Sequence, residues 1–104
     1  MKRFEDSVAM ITGAGRGIGR EIARRFAAEG ATVIIAEIHS ERGREVVDLI
    51  RSDGGAAHFC ECDVTQDHQV RRTVDFAREE LRAPDILVNN AVWSGDWVNG
   101  DAWM

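Results

Sequence analysis

The residues with the clearest chemical potential are the glycines of the segment Thr12-Gly13-Ala14-Gly15-Arg16-Gly17-Ile18-Gly19. This segment follows an apolar run at residues 8–11 and precedes a segment of helical period at residues 20–29. A glycine turn between a strand and a helix presents free backbone N–H groups at the positive end of the helix dipole. Glycine also lets the backbone turn tightly and lie close to a bound group. The segment therefore predicts a binding site for the phosphates of a dinucleotide.

A second candidate group is the carboxylate of Glu37, which follows the next apolar run at residues 31–36. An acidic side chain at this strand end can accept hydrogen bonds from the adenosine ribose hydroxyls. Its charge would repel a 2′-phosphate, which favours NAD as the cofactor. Arg16 lies in the glycine turn and could pair with such a phosphate, so NADP is kept as the alternative. The competing interpretation of Glu37 is a solvated loop carboxylate.

The elements that must position these groups alternate along the chain. Strands are predicted at residues 8–11, 31–36, 56–62 and 85–89, with helices between them. Ser40 is expected to cap the second helix, which stops at Asp53, and Thr65 or Asp67 is expected to cap the third. Strands and helices in this order favour an α/β fold with a parallel sheet covered by helices.

Composition excludes several classes of protein. The chain has 104 residues, 44% of them hydrophobic and 30% charged, which is typical of one globular domain. A net charge of −5 gives no basic surface for nucleic acid. No apolar run approaches the roughly 20 residues of a membrane span, and the first residues do not resemble a secretory signal. We therefore expect no nucleic-acid or membrane partner and a cytoplasmic location.

His58, Cys60 and Cys62 alternate along the predicted third strand, where they could lie on one face. Three ligands on one extended strand would span roughly 13 Å, too far for one zinc ion without bending. These residues are interpreted as half-buried strand residues, and no metal site is predicted.

The glycine spacing Thr-Gly-x-x-x-Gly-x-Gly, together with Glu37, Asp63-Val64 and Asn89-Asn90-Ala91, resembles the short-chain dehydrogenase/reductase family. The resemblance covers about residues 4–91. It implies a doubly wound Rossmann-type fold with about four parallel strands in the order 3-2-1-4 and flanking helices. The cofactor-binding residues that it implies are Gly13, Arg16, Gly17, Ile18, Gly19, Glu37, Asp63, Val64, Asn90 and Ala91.

The resemblance also assigns roles to the later motifs. Asp63 would accept a hydrogen bond from the adenine amino group, and the Val64 N–H would donate to the ring. The alternative role for Asp63 is an N-cap of the next helix. Asn90 and Ala91 would lie beside the cofactor ribose, while Asn89 is expected to tie strand ends together. The family usually continues with glycine where this chain has Val92, whose β-branched side chain would crowd the approach to the cofactor.

The family's catalytic pair, a tyrosine and a lysine four residues later, has no counterpart in this sequence. The chain contains no tyrosine, and its single lysine is Lys2. No catalytic residue is therefore predicted. Residues 1–91 are expected to form a truncated NAD(P)-binding domain and residues 92–104 an irregular tail with all three tryptophans. A truncated gene or a shifted reading frame would account for this division.

The chain is predicted to be the cofactor-binding portion of an oxidoreductase that transfers hydride between a nicotinamide cofactor and an alcohol or ketone. This portion alone is not expected to catalyse the reaction. The alternative is a non-catalytic module that binds a nucleotide or a partner. An S-adenosylmethionine-binding domain is a more distant third. Strand 85–89 would lie at an uncovered edge, which predicts self-association there unless the tail shields it.

Overall fold

The computed structural model describes residues 2–15 and 17–90 of the chain. Four strands and three helices alternate along these residues. They are β1 (Val8–Thr12), α1 (Gly17–Ala28), β2 (Thr32–Glu37), α2 (Ser40–Ser52), β3 (Ala56–Glu61), α3 (Asp67–Glu80) and β4 (Ile86–Asn89).

The strands form one parallel sheet in the order β3-β2-β1-β4, which confirms the predicted topology. The order reverses at β1, because the chain adds β2 and β3 on one side and then returns to place β4 on the other. Helices therefore cover both faces of the sheet, as the right-handed connections of parallel strands require. A reversal of this kind creates a crevice at the carboxyl ends of the strands, where ligands bind in open α/β sheets.

The core lies on both faces of the sheet, which explains why the central strands are continuously apolar. Ile34 and Ile35 are neighbours in β2 and both are fully buried, one on each face. On one face, α1 and α2 pack against alternate residues of β1, β2 and β3. On the opposite face, α3 packs through Val70, Val74, Ala77 and Leu81, the stripe that the sequence predicts. Among the described residues, no helix is long and apolar enough to cross a membrane.

Three sequence predictions about helix ends are wrong. Helix α1 begins at Gly17 and not at Arg20, so the last glycines of the turn belong to its first turn. The N-cap of α2 is His39, and the Ser40 hydroxyl donates to the Glu61 carboxylate at 3.0 Å instead of capping the helix. The N-cap of α3 is Gln66, without a side-chain cap bond, so neither Thr65 nor Asp67 holds that position. Neither helix has a side-chain hydrogen bond from its N-cap residue.

Candidate functional site

The predicted site residues lie at one edge of the sheet, where the four strands end. Thr12 at the end of β1 is in register with Ala36 on one side and with Asn89 on the other. Glu37 at the end of β2 is in register with Glu61 of β3. The segments that follow each strand, including Asp63 and Asn90, therefore begin at the same edge.

The glycine turn leaves β1 and enters α1, whose first-turn N–H groups have no carbonyl partner within the helix. Gly13 and Gly17 have φ angles of 63° and 61°, which residues with a side chain rarely adopt. A Cβ at Gly17 would meet no atom of the described residues within 4 Å, so these residues leave space beside the first residue of α1. The first turn of α1 contains no acidic residue that would neutralise the helix dipole. These features fit a dinucleotide phosphate.

Gly19 allows α1 to pack closely against the end of the sheet. A Cβ at this position would overlap the Gly13 carbonyl oxygen and would lie 2.5 Å from Asn90 Nδ2. That amide nitrogen of Asn90 donates to the Gly13 carbonyl at 3.1 Å, and the Asn90 backbone N–H donates to Thr12 Oγ1 at 3.0 Å. Asn90 thus joins the end of β4 to the first residue of the glycine turn.

Asn89 makes the contact between strand ends that the sequence predicts. The Thr12 hydroxyl lies 3.3 Å from Asn89 Oδ1 and 3.4 Å from the Val88 carbonyl oxygen, both of which can accept its hydrogen bond. Thr12 is therefore the centre of a small polar network that connects β1 to β4.

Glu37 is a buried carboxylate, with 7% of the residue exposed. Its Oε1 accepts a hydrogen bond from the Gly15 N–H at 2.9 Å, and its Oε2 accepts one from the His39 N–H at 3.0 Å. Glu37 is thus not a solvated loop carboxylate. Each oxygen accepts one backbone hydrogen bond and keeps a further lone pair for a ligand hydroxyl.

Asp63 lies two residues beyond β3 and shapes its own loop. Asp63 Oδ1 accepts hydrogen bonds from the Thr65 hydroxyl at 2.7 Å and from the Thr65 N–H at 3.0 Å. These two bonds, the hydroxyl bond first, lower the pKa of the Asp63 carboxyl because they favour its charged form. The alternative in which Asp63 caps α3 is wrong, since Gln66 holds that position. The half-buried side chain of Val64 packs against the part of the core that lies on the α3 face of the sheet.

Three predicted site residues remain, of which the structure describes only Ile18. Ile18 at the start of α1 is 74% exposed, so its apolar side chain is available beside the turn. Arg16 and Ala91 lie outside the described residues, as do Val92 and the predicted tail.

The sequence predictions missed two residues of the site. Gly15 donates its N–H to Glu37, and a Cβ on Gly15 would lie 2.6 Å from Glu37 Oε1. Thr12 organises the contacts among the ends of β1 and β4. Both residues stand inside the glycine segment, which was a signal of their importance. Their individual contacts depend on tertiary packing that a local pattern does not contain.

Among the described residues, no group of three or more His, Cys, Asp or Glu side chains is arranged to hold a metal ion. His58 instead lies edge-on to Phe76, with ring centroids 5.8 Å apart. Cys62 is buried in the core on the α3 face, and Cys60 packs half-buried against it.

The parallel sheet, its order and the glycine turn define an α/β protein of the Rossmann class. A family model described as short chain dehydrogenase matches residues 7–100. The chain belongs to the short-chain dehydrogenase family.

Individual relatives agree with this assignment. The 7alpha-hydroxysteroid dehydrogenase of Escherichia coli (strain K12) is 45% identical over 93 residues, which are 89% of this chain and 36% of the relative. Zerumbone synthase of Zingiber zerumbet is 44% identical over 96 residues, or 92% of this chain and 36% of the relative. The chain thus spans about a third of the length of these relatives.

Solved structures of the family have the same fold over the shared part. A 7alpha-hydroxysteroid dehydrogenase complexed with NADH and 7-oxo glycochenodeoxycholic acid has a TM-score of 0.85 and 45% identity, covering 89% of this chain and 36% of that one. A short-chain type dehydrogenase/reductase from Mycobacterium marinum has a TM-score of 0.83 and 42% identity, covering 86% of this chain and 36% of that one.

Proposed function

We propose that this chain binds a nicotinamide adenine dinucleotide at the carboxyl edge of its sheet, as the cofactor-binding portion of an oxidoreductase. The reaction of the whole enzyme is hydride transfer between the nicotinamide and an alcohol or ketone. The observation that carries this proposal is the N-terminus of α1: the described residues leave space beside Gly17, and the first turn contains no acidic residue. The NADH-bound relative supports it.

Each described site residue has a proposed role in holding the cofactor. The first-turn amides, including those of Gly17, Ile18 and Gly19, bind the phosphates. The exposed side chain of Ile18 packs against the nicotinamide half of the cofactor. Asp63 and Val64 bind the adenine, and Asn90 lies beside the ribose. For Arg16 and Ala91, which lie outside the described residues, contacts with a phosphate and with the ribose remain predictions.

NAD is the preferred cofactor in this proposal because of the charge and placement of Glu37. Its carboxylate is held by two backbone N–H groups and cannot swing away to admit a 2′-phosphate without leaving both unpaired. Ribose hydroxyls, in contrast, can donate to the remaining lone pairs of the two oxygens. NADP therefore binds more weakly.

The chain alone is proposed to bind the cofactor without turning over a substrate. Acid–base chemistry beside hydride transfer needs a group that exchanges a proton with the substrate oxygen. The sequence contains no tyrosine and only one lysine, Lys2. Lys2 precedes β1 and lies beside Gly30, ahead of β2, at the edge of the sheet opposite to the strand ends. Cofactor-dependent oxidation of alcohols by the purified chain at rates typical of enzymes would contradict the proposed lack of turnover.

A cytoplasmic location of the protein also remains a prediction.

The test is a fluorescence titration of the 104-residue chain with NADH and with NADPH, using two matched glycine variants. Gly17 and Gly54 both have positive φ, and a Cβ at either position would meet no atom of the described part of the chain within 4 Å. Gly17→Ala and Gly54→Ala should therefore cost similar stability, about 1 kcal/mol. Only Gly17→Ala should weaken NADH binding, because Gly54 lies after α2 and away from the site.

Saturable binding of NADH, weakened about tenfold or more by Gly17→Ala alone, is the expected result. Absence of NADH binding by the folded chain would overturn the proposal. Equal weakening by both variants would show that the loss comes from stability and not from the turn. If the chain fails to bind NADH but still associates with a partner, the alternative of a partner-binding module would take its place.

A further inference from the structure

The side chain of Gln69 joins the start of α3 to the loop that follows β3. Gln69 Oε1 accepts a hydrogen bond from the Asp63 backbone N–H at 2.8 Å. Gln69 itself is held in place, because the next residue, Val70, packs against the core and the Thr73 hydroxyl donates to the Gln69 carbonyl at 3.0 Å. The bond therefore ties the loop to a helix that is anchored on the sheet.

Asp63 is held through all but one of its hydrogen-bonding groups. Its N–H donates to Gln69, its carbonyl accepts from the Gln66 N–H at 2.9 Å, and its Oδ1 accepts two bonds from Thr65. Its Oδ2 has no hydrogen bond to any residue that the structure describes, and neither has the backbone N–H of Val64. The loop thus leaves one acceptor and one donor on adjacent residues for a ligand.

This free acceptor and donor match the edge of adenine that carries its amino group. The amino group donates, and the ring nitrogen beside it accepts. Hypoxanthine has a carbonyl oxygen in place of the amino group and a proton on that ring nitrogen, so acceptor would face acceptor and donor would face donor. Asp63 cannot turn its carboxylate away from such a base without breaking the hydrogen bonds that hold it.

We propose, on the basis of the proposed function, that Gln69 is a positioning residue for adenine recognition: it fixes the backbone of Asp63 so that Oδ2 and the Val64 N–H meet the base together. Gln69 does not touch the cofactor in this arrangement and acts through Asp63. The consequence is a preference for adenine over hypoxanthine. Phosphate binding at the N-terminus of α1 does not supply this preference, because the phosphates are the same in both dinucleotides.

The test is a fluorescence titration of the 104-residue chain with NADH and with reduced nicotinamide hypoxanthine dinucleotide, which differs from NADH only in the base. Gln69→Met keeps the length of the side chain but removes the acceptor, whereas Gln69→Glu keeps an acceptor oxygen. Gln66→Met is the matched control, because Gln66 is the N-cap of α3 and its side chain makes no cap hydrogen bond. Circular dichroism confirms that each variant is folded.

The wild type should bind NADH about tenfold more tightly than the hypoxanthine dinucleotide, because a hydrogen bond between the amino group and a charged carboxylate is lost in the second. Gln69→Met should reduce this preference at least about threefold by weakening NADH binding alone. Gln69→Glu and Gln66→Met should keep the preference. Equal weakening of both dinucleotides by Gln69→Met would mean that Gln69 supports only the fold, and it would overturn the proposal.

Amide hydrogen exchange of the wild type, followed by NMR, tests the role of Gln69 without a substitution. In the free chain the Asp63 N–H should exchange slowly and the Val64 N–H rapidly. NADH should slow the exchange of the Val64 N–H, and the hypoxanthine dinucleotide should not.

The outcomes separate this proposal from the proposed function. Rapid exchange of the Asp63 N–H in the free chain, or equal affinity of the wild type for the two dinucleotides, overturns the role of Gln69 and leaves dinucleotide binding in place. A folded wild-type chain that binds neither dinucleotide overturns the proposed function and the role of Gln69 together.

Discussion

The Glu37 carboxylate accepts the backbone N–H of Gly15 at 2.9 Å, and this bond ties the glycine turn to the end of β2. The same side chain is predicted to meet the adenosine ribose. In the proposed function one carboxylate would have two tasks: it fixes the conformation of the glycine turn, and it would present negative charge where a 2′-phosphate would lie. Removing the charge should alter both stability and cofactor choice.

We expect Glu37→Gln to lower the free energy of unfolding by about 1–3 kcal/mol, because its amide group cannot accept from both Gly15 and His39. The ratio of the NADPH and NADH dissociation constants should fall as the repulsion of a 2′-phosphate disappears. Urea denaturation and titration with both cofactors measure the two effects. Glu61→Gln is the control, since Glu61 is in register with Glu37 but exposed. An unchanged ratio in Glu37→Gln would sink the proposed role in cofactor choice.

The topology could be predicted from the sequence because its signals are local and repeated. Short β-branched runs alternate with segments of helical period, and the spacing of Gly13, Gly17 and Gly19 marks the first strand–helix turn. The resemblance then supplied the strand order. The strands that are buried on both faces, such as the one containing Ile34 and Ile35, are the ones whose apolar runs are continuous.

Contacts between distant segments could not be predicted in this way. The sequence contains candidate capping residues at Ser40 and Asp63, but the Ser40 hydroxyl bonds to Glu61 at the end of β3 and Asp63 bonds to Thr65 in its own loop. A hydroxyl or carboxylate has several backbone and side-chain partners within reach, and tertiary packing decides among them. The same reason explains why the Gly15–Glu37 contact was missed.

His58 should make the fold less stable in mild acid. Burial lowers the pKa of His58 below its ordinary value of 6.5, and the positive charge of Arg51 lowers it further. A histidine with a lowered pKa in the folded state contributes stability that is present above pH 6.5 and is lost as the pH falls through the lowered pKa. His58→Gln should reduce the loss of stability on going from pH 7 to about pH 5.

Urea denaturation at several pH values measures this effect, and His68→Gln is its control because His68 is exposed on α3. If His58→Gln and the wild type lose stability in parallel over this range, the assignment to His58 is wrong.

The pKa of the Asp63 carboxyl should depend on the hydroxyl group of Thr65. The Thr65 hydroxyl gives the larger contribution to the lowered pKa of Asp63, so Thr65→Val should raise that pKa toward its ordinary value of 3.8. A lowered carboxyl pKa stabilises the fold above the ordinary pKa, and this contribution is lost as the pH falls through the lowered value. Thr65→Val should therefore reduce the fall in stability below about pH 4.

Titration of the Asp63 carboxyl carbon by NMR measures the pKa directly. Thr65→Ser keeps a hydroxyl and should keep the lowered pKa. A pKa that does not change in Thr65→Val would mean that the backbone N–H of Thr65 alone determines it.

The two adjacent asparagines Asn89 and Asn90 should differ in how much stability and NADH binding they lose when each is replaced by aspartate. Asn90 Nδ2 donates to the Gly13 carbonyl at 3.1 Å, whereas Asn89 Oδ1 accepts from the Thr12 hydroxyl at 3.3 Å. Asn90→Asp replaces a donor with an acceptor that faces a carbonyl oxygen, and it should cost about 1–3 kcal/mol of stability and weaken NADH binding. Asn89→Asp preserves the acceptor, so its cost should be smaller and NADH binding should be little affected. Because both variants add one negative charge at neighbouring positions, thermal denaturation and NADH titration of the pair separate the lost hydrogen bond from the added charge. Equal losses in the two variants would attribute the effect to charge and would remove Asn90 as the link between β4 and the glycine turn.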